Sequence, residues 1–349
     1  MSAKQALHII ILAAGRGKRM QTQLPKVLHR LAGVPLLKHV LNTAKKLNAD
    51  QIHVVIGHEA EQIQQQLSQE SVHWVQQTEQ LGTGHAVMQA LPYIPEDANV
   101  LILSGDVPLT QISTLQGMLK QSNQSLSLLV AHLPQPYGFG RITRRADGQI
   151  RAIVEEKDAT PEQKAIREIY TGICCTPAKF LKQWLPKLRT DNAQKEYYLT
   201  EIIDHAVKDG VNIDSLEPQY LFEIQGVNTL HQLQALERDW QEHLAQQLLN
   251  EGVHVSDIHR LDIRGTLNCD SDVFIDINVI IEEHVEIGFG SKIGAHSILK
   301  NCKIGKNCII HPHSILQDCI IEEGCEIGPF ARLRPGTHLS LIHISEPTR

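Results

Sequence analysis

The segment that decides the fold is His8-Ile9-Ile10-Ile11-Leu12-Ala13-Ala14-Gly15-Arg16-Gly17, an apolar run that passes directly into a glycine-rich loop. A short apolar run that stops at a turn signal predicts a buried strand. Three similar runs follow, and helix-length segments lie between them; the runs are 52–56, 99–103 and 126–131. Strands that alternate with helices predict a Rossmann-like α/β sheet of parallel strands, with ligands at their carboxyl ends.

The loop after the first strand has the composition of a phosphate-binding turn. Its small residues allow backbone N–H groups to approach a phosphate or a base. The third glycine of a dinucleotide fingerprint is missing, and the P-loop pattern does not occur in the chain. Four cations surround the turn and suit a triphosphate; they are Arg16, Lys18, Arg19 and Lys26. A solvated basic turn is the alternative interpretation.

A second candidate site follows the third apolar run, at Ser104-Gly105-Asp106. A carboxylate at the end of a buried strand is well placed to hold Mg²⁺, a cation that prefers oxygen ligands. The alternative is that Asp106 serves only as a turn residue or helix cap.

The pattern changes after about residue 229. Residues 229–251 carry apolar side chains at three- and four-residue spacing, which predicts one long linker helix. Beyond Gly252 the period becomes six, which is typical of a parallel β-helix. The two apolar series run Ile275, Ile281, Ile287, Ile293, Leu299 and Ile309, Ile315, Ile321, Ile327, Leu333. The pairs Cys302/Cys308 and Cys319/Cys325 have the same spacing, so we interpret them as small core fillers.

Composition limits the classes of function. The 349 residues include 33 Lys+Arg and 39 Asp+Glu, a formal charge of −6, which gives no electrostatic footprint for nucleic acid. No apolar run near the start reaches the roughly 20 residues of a membrane span, and residues 1–5 lack the features of a signal peptide. Seven cysteines without a C-x-x-C pair indicate neither a disulfide framework nor a zinc site. We therefore expect a soluble, cytoplasmic protein that binds no nucleic acid.

Taken together, the motifs occur in the order seen in sugar-nucleotide pyrophosphorylases. The chain closely resembles the bacterial bifunctional N-acetylglucosamine-1-phosphate uridylyltransferases/glucosamine-1-phosphate N-acetyltransferases from about Leu7 to Gly336. The resemblance is carried by residues 12–20, 25–26, 76–77, 81–86, 104–108, 137–142, 153–159, 192–198, 226–228 and 328–336. It implies a nucleotidyltransferase domain, a linker helix and a left-handed β-helix of hexapeptide repeats that associates as a homotrimer in the full-length family.

The resemblance also implies the ligands and the roles of individual residues. UTP and N-acetylglucosamine 1-phosphate would give UDP-N-acetylglucosamine, a precursor for peptidoglycan and lipopolysaccharide, and pyrophosphate. The uridine end would be held by Leu12, Ala13, Ala14, Gly15, Gln77, Gly82 and Thr83. Arg19 and Lys26 would neutralise the phosphates, and Asp106 and Asn228 would coordinate Mg²⁺, with Ser104 and Gly105 in the same pocket. The sugar would meet Gly140, Glu155, Tyr170 and Glu196, and Arg332 would be a remnant of a second sugar-phosphate site.

One position departs from the family. Its members commonly read Glu-Ile-Asn-Thr-Gly where this chain reads Glu168-Ile169-Tyr170-Thr171-Gly172, so Tyr170 offers the sugar a hydroxyl but not the amide. Two further interpretations remain open: a pyrophosphorylase for another sugar 1-phosphate, and a non-catalytic sugar-nucleotide sensor.

The resemblance predicts domains at 1–227, 228–251 and 252–336. Residues 337–349 do not continue the hexads convincingly, and we expect them to be a non-native tail on a truncated β-helix. The family's acetyl transfer from acetyl-CoA depends on residues further along that β-helix. We therefore expect this chain alone to lack that activity.

Overall fold

The structure is a computed structural model, and it describes residues 5–15, 17–57, 59–121 and 124–340. The described residues separate into two compact units. The first is drawn from 5–29 and 35–230, and the second from 30–34 and 231–340. The part of the predicted tail at 341–349 lies outside the described residues.

The first unit is built on a nine-stranded sheet with helices along the chain between its strands. Its strands are β1 (Leu7–Leu12), β4 (Gln51–Ile56), β5 (His73–Gln76), β6 (Asn99–Ser104), β7 (Leu126–His132), β8 (Gly140–Arg144), β9 (Ile150–Val154), β10 (Glu168–Pro177) and β11 (Ile213–Leu216). The short strands β2 (Arg30–Leu31) and β3 (Val34–Pro35) pair with each other, and residues 30–34 of this pair belong to the second unit. Its helices are α1 (Leu36–Lys46), α2 (Ala60–Gln66), α3 (Thr83–Ala90), α4 (Ile112–Gln121), α5 (Pro161–Lys164), α6 (Ala178–Trp184) and α7 (Ile202–Lys208).

The order across the sheet is β11-β7-β10-β6-β1-β4-β5, with β8 beside β10 and β9 beside β8. Strand β1 runs parallel to both β4 and β6, as the sequence predicts. Strand β10, however, runs antiparallel to β6 and β7, so the expectation of an all-parallel sheet is wrong. The β8–β9 hairpin precedes β10 in the chain, and β9, which is antiparallel to β8, has the same reversed direction as β10. Antiparallel strands in an otherwise parallel sheet are common in large α/β folds.

Two apolar layers sandwich this sheet because alternate residues of a strand face opposite sides. In β1, Ile10 belongs to one buried cluster, whereas Ile9 and Ile11 belong to the other. Helices contribute buried residues to both layers. The carboxyl ends of β1, β4 and β6 lie side by side.

The second unit begins with helix α8 (Leu230–Asn250) and continues as a parallel β-helix. Helix α8 packs Leu248 into the apolar interior, and the side-chain amide of Gln241 bridges the backbone N–H and C=O of Ile263 at 2.7 and 2.8 Å. The strands of the β-helix are β12 (His254–Val255), β13 (Leu261–Cys269), β14 (Phe274–Ile275), β15 (Val279–Ile287), β16 (Lys292–Ile293), β17 (Ile298–Ile304), β18 (Ile309–Ile310), β19 (Ile315–Gln317), β20 (Ile320–Ile321), β21 (Glu326–Ile327), β22 (Arg332–Leu333) and β23 (His338–Leu339).

The β-helix confirms the repeat but corrects its register. The first series, from Ile275 to Leu299, is buried throughout. In the second series Ile309 and Ile315 are exposed, and the neighbouring residues Ile310 and Leu316 are buried instead. The cause is a change of coil length: Leu299 pairs with Ile281, 18 residues earlier, but Leu316 pairs with Leu299, only 17 residues earlier. A six-residue count therefore slips by one position after Leu299. The buried positions shift again between Leu316 and Ile321, so Ile321 and Ile327 of the second series are buried as predicted.

The coil also continues past Gly336, the boundary expected from the sequence. Strand β23 pairs in parallel with β20, and Leu339 packs against the apolar interior. Leu339 lies six residues after Leu333, so this residue does extend the hexads. The four cysteines of the repeat are buried and unbridged, in agreement with their interpretation as core fillers; they are Cys302, Cys308, Cys319 and Cys325.

Candidate functional site

The candidate site is a cavity of about 570 Å³ in the first unit, at the carboxyl ends of β1 and β6. Eleven of the residues predicted to bind substrate line it: Leu12, Ala13, Ala14, Gly15, Lys26, Gln77, Gly82, Thr83, Ser104, Asp106 and Glu196. Three further lining residues were missed by the sequence analysis, namely Val27, Gln80 and Ala86. Arg16 and the side chain of Lys18 lie outside what the structure describes.

The floor of the cavity is formed where two strands end together. The N–H of Gly105 donates to the carbonyl of Leu12 at 2.9 Å, and the N–H of Ala13 donates to Val55 at 2.8 Å. A Cβ atom at Gly105 would lie 3.2 Å from the Leu12 carbonyl oxygen, tighter than ordinary van der Waals contact. The small residue therefore allows the strand ends to approach closely and fixes the glycine-rich loop beside Asp106.

Charged and polar groups converge at one end of the cavity. The Lys26 ammonium forms a salt bridge with Asp106 and donates to Asn228 Oδ1 at 3.1 Å. Arg19 Nη2 donates to the same Asn228 oxygen at 2.9 Å, and the Ser104 hydroxyl donates to Asp106 Oδ1 at 2.6 Å. We call Arg19, Lys26, Asp106 and Asn228 the cationic cluster. Two cations and two oxygen ligands thus meet at one point, although they are far apart in sequence.

The cationic cluster is compatible with one divalent cation. Asp106 and Asn228 each supply an oxygen, and both oxygens contact the same Lys26 ammonium. Oxygen is the ligand type that Mg²⁺ prefers, and this ion commonly takes only one or two protein ligands and completes its shell with water and substrate phosphates. The residues present therefore fit a Mg²⁺ ion.

The opposite end of the cavity is built on the first turn of α3. Gly82, at φ +108°, has no room for a side chain, since a Cβ would lie 2.7 Å from the Tyr197 carbonyl oxygen. Gly84 N–H donates to that carbonyl at 2.8 Å, and Leu199 N–H donates to the Thr83 hydroxyl at 3.1 Å. These contacts attach the segment that carries Glu196 to the wall of the cavity.

Of the residues predicted to meet the sugar, Glu196 lines the cavity, and the other three, Gly140, Glu155 and Tyr170, lie at or next to β8, β9 and β10. Gly140 pairs with Tyr170 in the sheet, and a Cβ at Gly140 would lie 3.7 Å from Glu155 Oε2. The Thr200 hydroxyl donates to Glu155 Oε1 at 3.0 Å. Burial raises the pKa of Glu155, since it disfavours the charged carboxylate. The sequence analysis missed Thr200, which no motif marks in a single sequence.

Tyr170 belongs to the hydrophobic core. Its hydroxyl is hydrogen-bonded to the Cys174 thiol, and burial raises the pKa of the phenol well above its ordinary value. Burial also raises the pKa of Cys174, to about 11. The structure therefore assigns the Tyr170 hydroxyl a protein partner.

The remaining predicted residue, Arg332, lies in the second unit on the two-residue strand β22, where its side chain is exposed. The histidines of the repeat were expected on its turns; His296 and His313 do occupy turns, whereas His254, His284 and His338 lie on strands. His313 is exposed and stacks on His296, whereas His311 is half-buried and contacts Glu326 at 2.6 Å. Among the described residues, no helix is both long and apolar enough to cross a membrane.

Comparison with known proteins identifies two family matches. Residues 9–205 match the MobA-like NTP transferase domain, and residues 263–341 match the GMPPB C-terminal domain. A solved nucleotidyl transferase from Methanothermobacter thermautotroptrophicus superposes with a TM-score of 0.50 at 17% identity. The match covers 70% of this chain and 100% of that one, and it supports the fold alone.

Curated relatives share much more of the sequence. The bifunctional protein GlmU of Legionella pneumophila is 54% identical over 340 residues, and that of Acinetobacter baylyi is 51% identical over 338 residues. The GlmU of Marinobacter nauticus is 48% identical over 335 residues. Each match covers 96% of this chain and 74% of the relative.

Proposed function

The chain belongs to the bifunctional GlmU family of nucleotidyltransferases, and from that premise we propose that it transfers a uridylyl group from UTP to N-acetylglucosamine 1-phosphate. The products are UDP-N-acetylglucosamine and pyrophosphate. The observation that carries the proposal is the cationic cluster at one end of a cavity whose other end is lined by Gln77, Gly82 and Thr83. The cavity thus provides one region for phosphates and another for a base.

The reaction is an in-line displacement at the α-phosphorus of UTP. A phosphate oxygen of the sugar phosphate attacks, the bond to the β-phosphate oxygen breaks, and pyrophosphate leaves. No covalent intermediate with the protein is required, so catalysis consists of positioning and charge neutralisation. This accounts for a site that contains Lys26 and Arg19 rather than a nucleophile with an adjacent base.

Lys26 and Arg19 have complementary tasks in this scheme. Lys26 is held by Asp106 and Asn228 within the cavity wall, and its side chain is only 12% exposed. It can exchange part of this pairing for phosphate oxygens without moving far. Arg19 is exposed and reaches Asn228 from outside, so it is placed to contact the triphosphate as the nucleotide enters.

We further propose that Asp106 and Asn228 hold Mg²⁺. When bound, the ion supplies charge neutralisation to the phosphates. The protein's own part is to keep both oxygens together: Ser104 donates to one oxygen of Asp106, and the other accepts from the Lys26 ammonium, which also donates to Asn228.

The sugar region is proposed to consist of Gly140, Glu155, Tyr170 and Glu196, with Thr200 orienting Glu155. A buried carboxyl of raised pKa can donate or accept a hydrogen bond to a sugar hydroxyl or acetamido group. The Tyr170 ring backs this region, whereas its hydroxyl is occupied by Cys174.

An assay of pyrophosphate release tests the proposal. Wild-type protein is incubated with UTP and either N-acetylglucosamine 1-phosphate or glucose 1-phosphate, with Mg²⁺ or after removal of divalent ions by a chelator. We expect turnover that requires Mg²⁺ and prefers the N-acetylated sugar. A preference for glucose 1-phosphate would contradict the substrate assignment, and absence of turnover in folded protein would contradict the reaction.

Three further properties remain predictions. Homotrimer formation is expected of the full-length family, and the exposed apolar side chains of the second unit, such as Ile309, Ile315 and Ile320, are candidates for its contacts. Light scattering measures the mass directly. Acetyl-CoA consumption with glucosamine 1-phosphate tests for acetyl transfer. Cytoplasmic location is tested by cell fractionation.

A further inference from the structure

Gln77 lines the end of the cavity away from the cationic cluster, and its side chain is held in one orientation. It follows β5, and its residue is only 2% exposed. The side-chain Nε2 lies 3.3 Å from the Gly82 carbonyl and 3.1 Å from His85 Nδ1. A carbonyl can only accept, so the amide nitrogen must face Gly82. Both amide hydrogens are then used within the protein, and Oε1 is the atom that can accept from a ligand.

This orientation requires a particular tautomer of His85. A neutral imidazole carries one N–H, and Nδ1 can accept from Gln77 only if that hydrogen is on Nε2. The side-chain amide of Gln89 lies 3.1 Å from His85 Nε2. Accepting from the Nε2 hydrogen requires that amide to turn by 180°, which gives up the 3.3 Å contact between Gln89 Nε2 and the carbonyl oxygen of His85. The ring itself lies against Tyr197, with centroids 6.2 Å apart.

We propose that His85 is a positioning residue that selects the nucleobase by fixing the carboxamide of Gln77. With Oε1 directed toward the cavity, Gln77 accepts from a base that offers a ring N–H, as uracil does at N3. Cytosine presents an unprotonated N3 at that position, and two acceptors facing each other are unfavourable. The inference rests on the proposed function, because it concerns the base of the nucleotide that the same site binds.

Two substitutions at His85 separate positioning from packing. His85→Asn places an amide oxygen near the position of Nδ1 and keeps the acceptor, whereas His85→Leu fills similar space without one. The test measures kcat and KM for UTP and for CTP with saturating sugar phosphate. We expect the UTP-to-CTP ratio of kcat/KM to fall about tenfold in His85→Leu, through KM, and to change less than about threefold in His85→Asn.

A second pair of variants acts through the half-buried residue Gln89 and leaves the cavity wall intact. In Gln89→Glu the carboxylate accepts from His85 Nε2 and keeps the tautomer, so the nucleotide preference is retained. In Gln89→Lys the ammonium donates to Nε2, which moves the imidazole hydrogen to Nδ1 and turns the Gln77 amide. This variant is expected to lose preference for UTP, and it provides the test if His85→Leu does not fold.

The outcomes distinguish the two levels of the proposal. Wild-type protein that uses neither nucleotide contradicts the proposed function itself. Wild-type protein that prefers UTP, together with folded His85→Leu and Gln89→Lys variants that keep the same ratio, contradicts the role of His85 and leaves the function standing. Melting temperatures of all four variants establish which of them are folded.

Discussion

At the scale of single residues, Lys26 joins the two side chains proposed to hold the metal ion. It pairs with Asp106 and Asn228 inside the cavity wall. Replacement by alanine removes a cation from the phosphates in the transition state. We expect kcat to fall by about 10²–10³-fold, the loss typical of a single electrostatic contact in a water-poor site. The measurement is the steady-state rate of pyrophosphate release.

Lys45→Ala is the matched control for this prediction. Lys45 also pairs with a carboxylate, Glu70 at 2.7 Å, but it is part of α1 and does not line the cavity. Its replacement should leave kcat within about twofold, because exposed ion pairs contribute little. Equal losses of kcat in Lys26→Ala and Lys45→Ala would mean that the net charge of the protein, not the cationic cluster, determines the rate.

Tyr170 provides a second test at this scale. Since its hydroxyl is bonded to Cys174, Tyr170→Phe should leave the KM for the sugar phosphate within about twofold. It should cost about 1 kcal/mol in the free energy of unfolding, the usual contribution of one hydrogen bond. Kinetics and urea denaturation measure the two quantities. A tenfold rise in KM at unchanged stability would instead place the hydroxyl on the sugar.

At the scale of secondary-structure elements, three neighbouring strands of the first sheet carry a chain of histidines. His8 on β1 contacts His53 on β4 at 3.0 Å, and His53 contacts His73 on β5 at 3.0 Å. Asp50 lies near His8, and the Tyr93 ring packs against His73 at 4.4 Å between centroids. Burial, together with the neighbouring histidines, lowers the pKa of His53 to about 4. Between this value and the ordinary pKa of about 6.5, the unfolded chain binds more protons than the folded one.

The first unit should therefore lose stability as the pH falls from about 6.5 to 4. His53→Gln removes the titrating group and should flatten the dependence of melting temperature on pH in that range. His132→Gln, which replaces an exposed histidine of β7, should leave the wild-type profile unchanged. Parallel profiles for wild type and His53→Gln would show that this residue does not limit acid stability.

The coils of the β-helix allow a comparison of two adjacent isoleucines. Ile310 is 1% exposed and Ile309 is 36% exposed. Ile310→Ala should cost about 2–5 kcal/mol in the opening free energy of the coils, because it leaves a cavity in a packed interior. Ile309→Ala should cost less than about 1 kcal/mol. Hydrogen exchange of peptides from residues 261–339 measures both free-energy costs. A larger cost for Ile309→Ala than for Ile310→Ala would instead support the register counted from the six-residue spacing.

At the scale of the whole molecule, the sequence predicts the order of the two architectures but not all of their geometry. Periodicity depends on neighbours along the chain, so it locates β1, α8 and the repeat. It contains no information on strand direction, which is why the reversed strand β10 was missed. The shift after Leu299 arises from one shorter coil, and a fixed spacing cannot detect it.

The residues that line the cavity were predicted from the sequence to a similar extent. Motifs contained most of the residues that line the cavity, and the roles of these residues toward phosphate and base are part of the proposed function. The supporting contacts were not foreseen: Thr200 meets Glu155, and His85 meets Gln77, only because separate segments fold together. The burial of the Tyr170 hydroxyl against Cys174 is likewise a tertiary property, although the two residues are four apart in the chain.

The central claim is that the first unit joins a uridylyl group to a sugar phosphate, and product analysis tests it most directly. Wild-type protein is incubated with UTP, N-acetylglucosamine 1-phosphate and Mg²⁺, and both products are quantified by mass spectrometry and a pyrophosphate assay. The account predicts UDP-N-acetylglucosamine and pyrophosphate in equal amounts, with the rate lost in Lys26→Ala. Folded protein that binds UTP but forms neither product would contradict it.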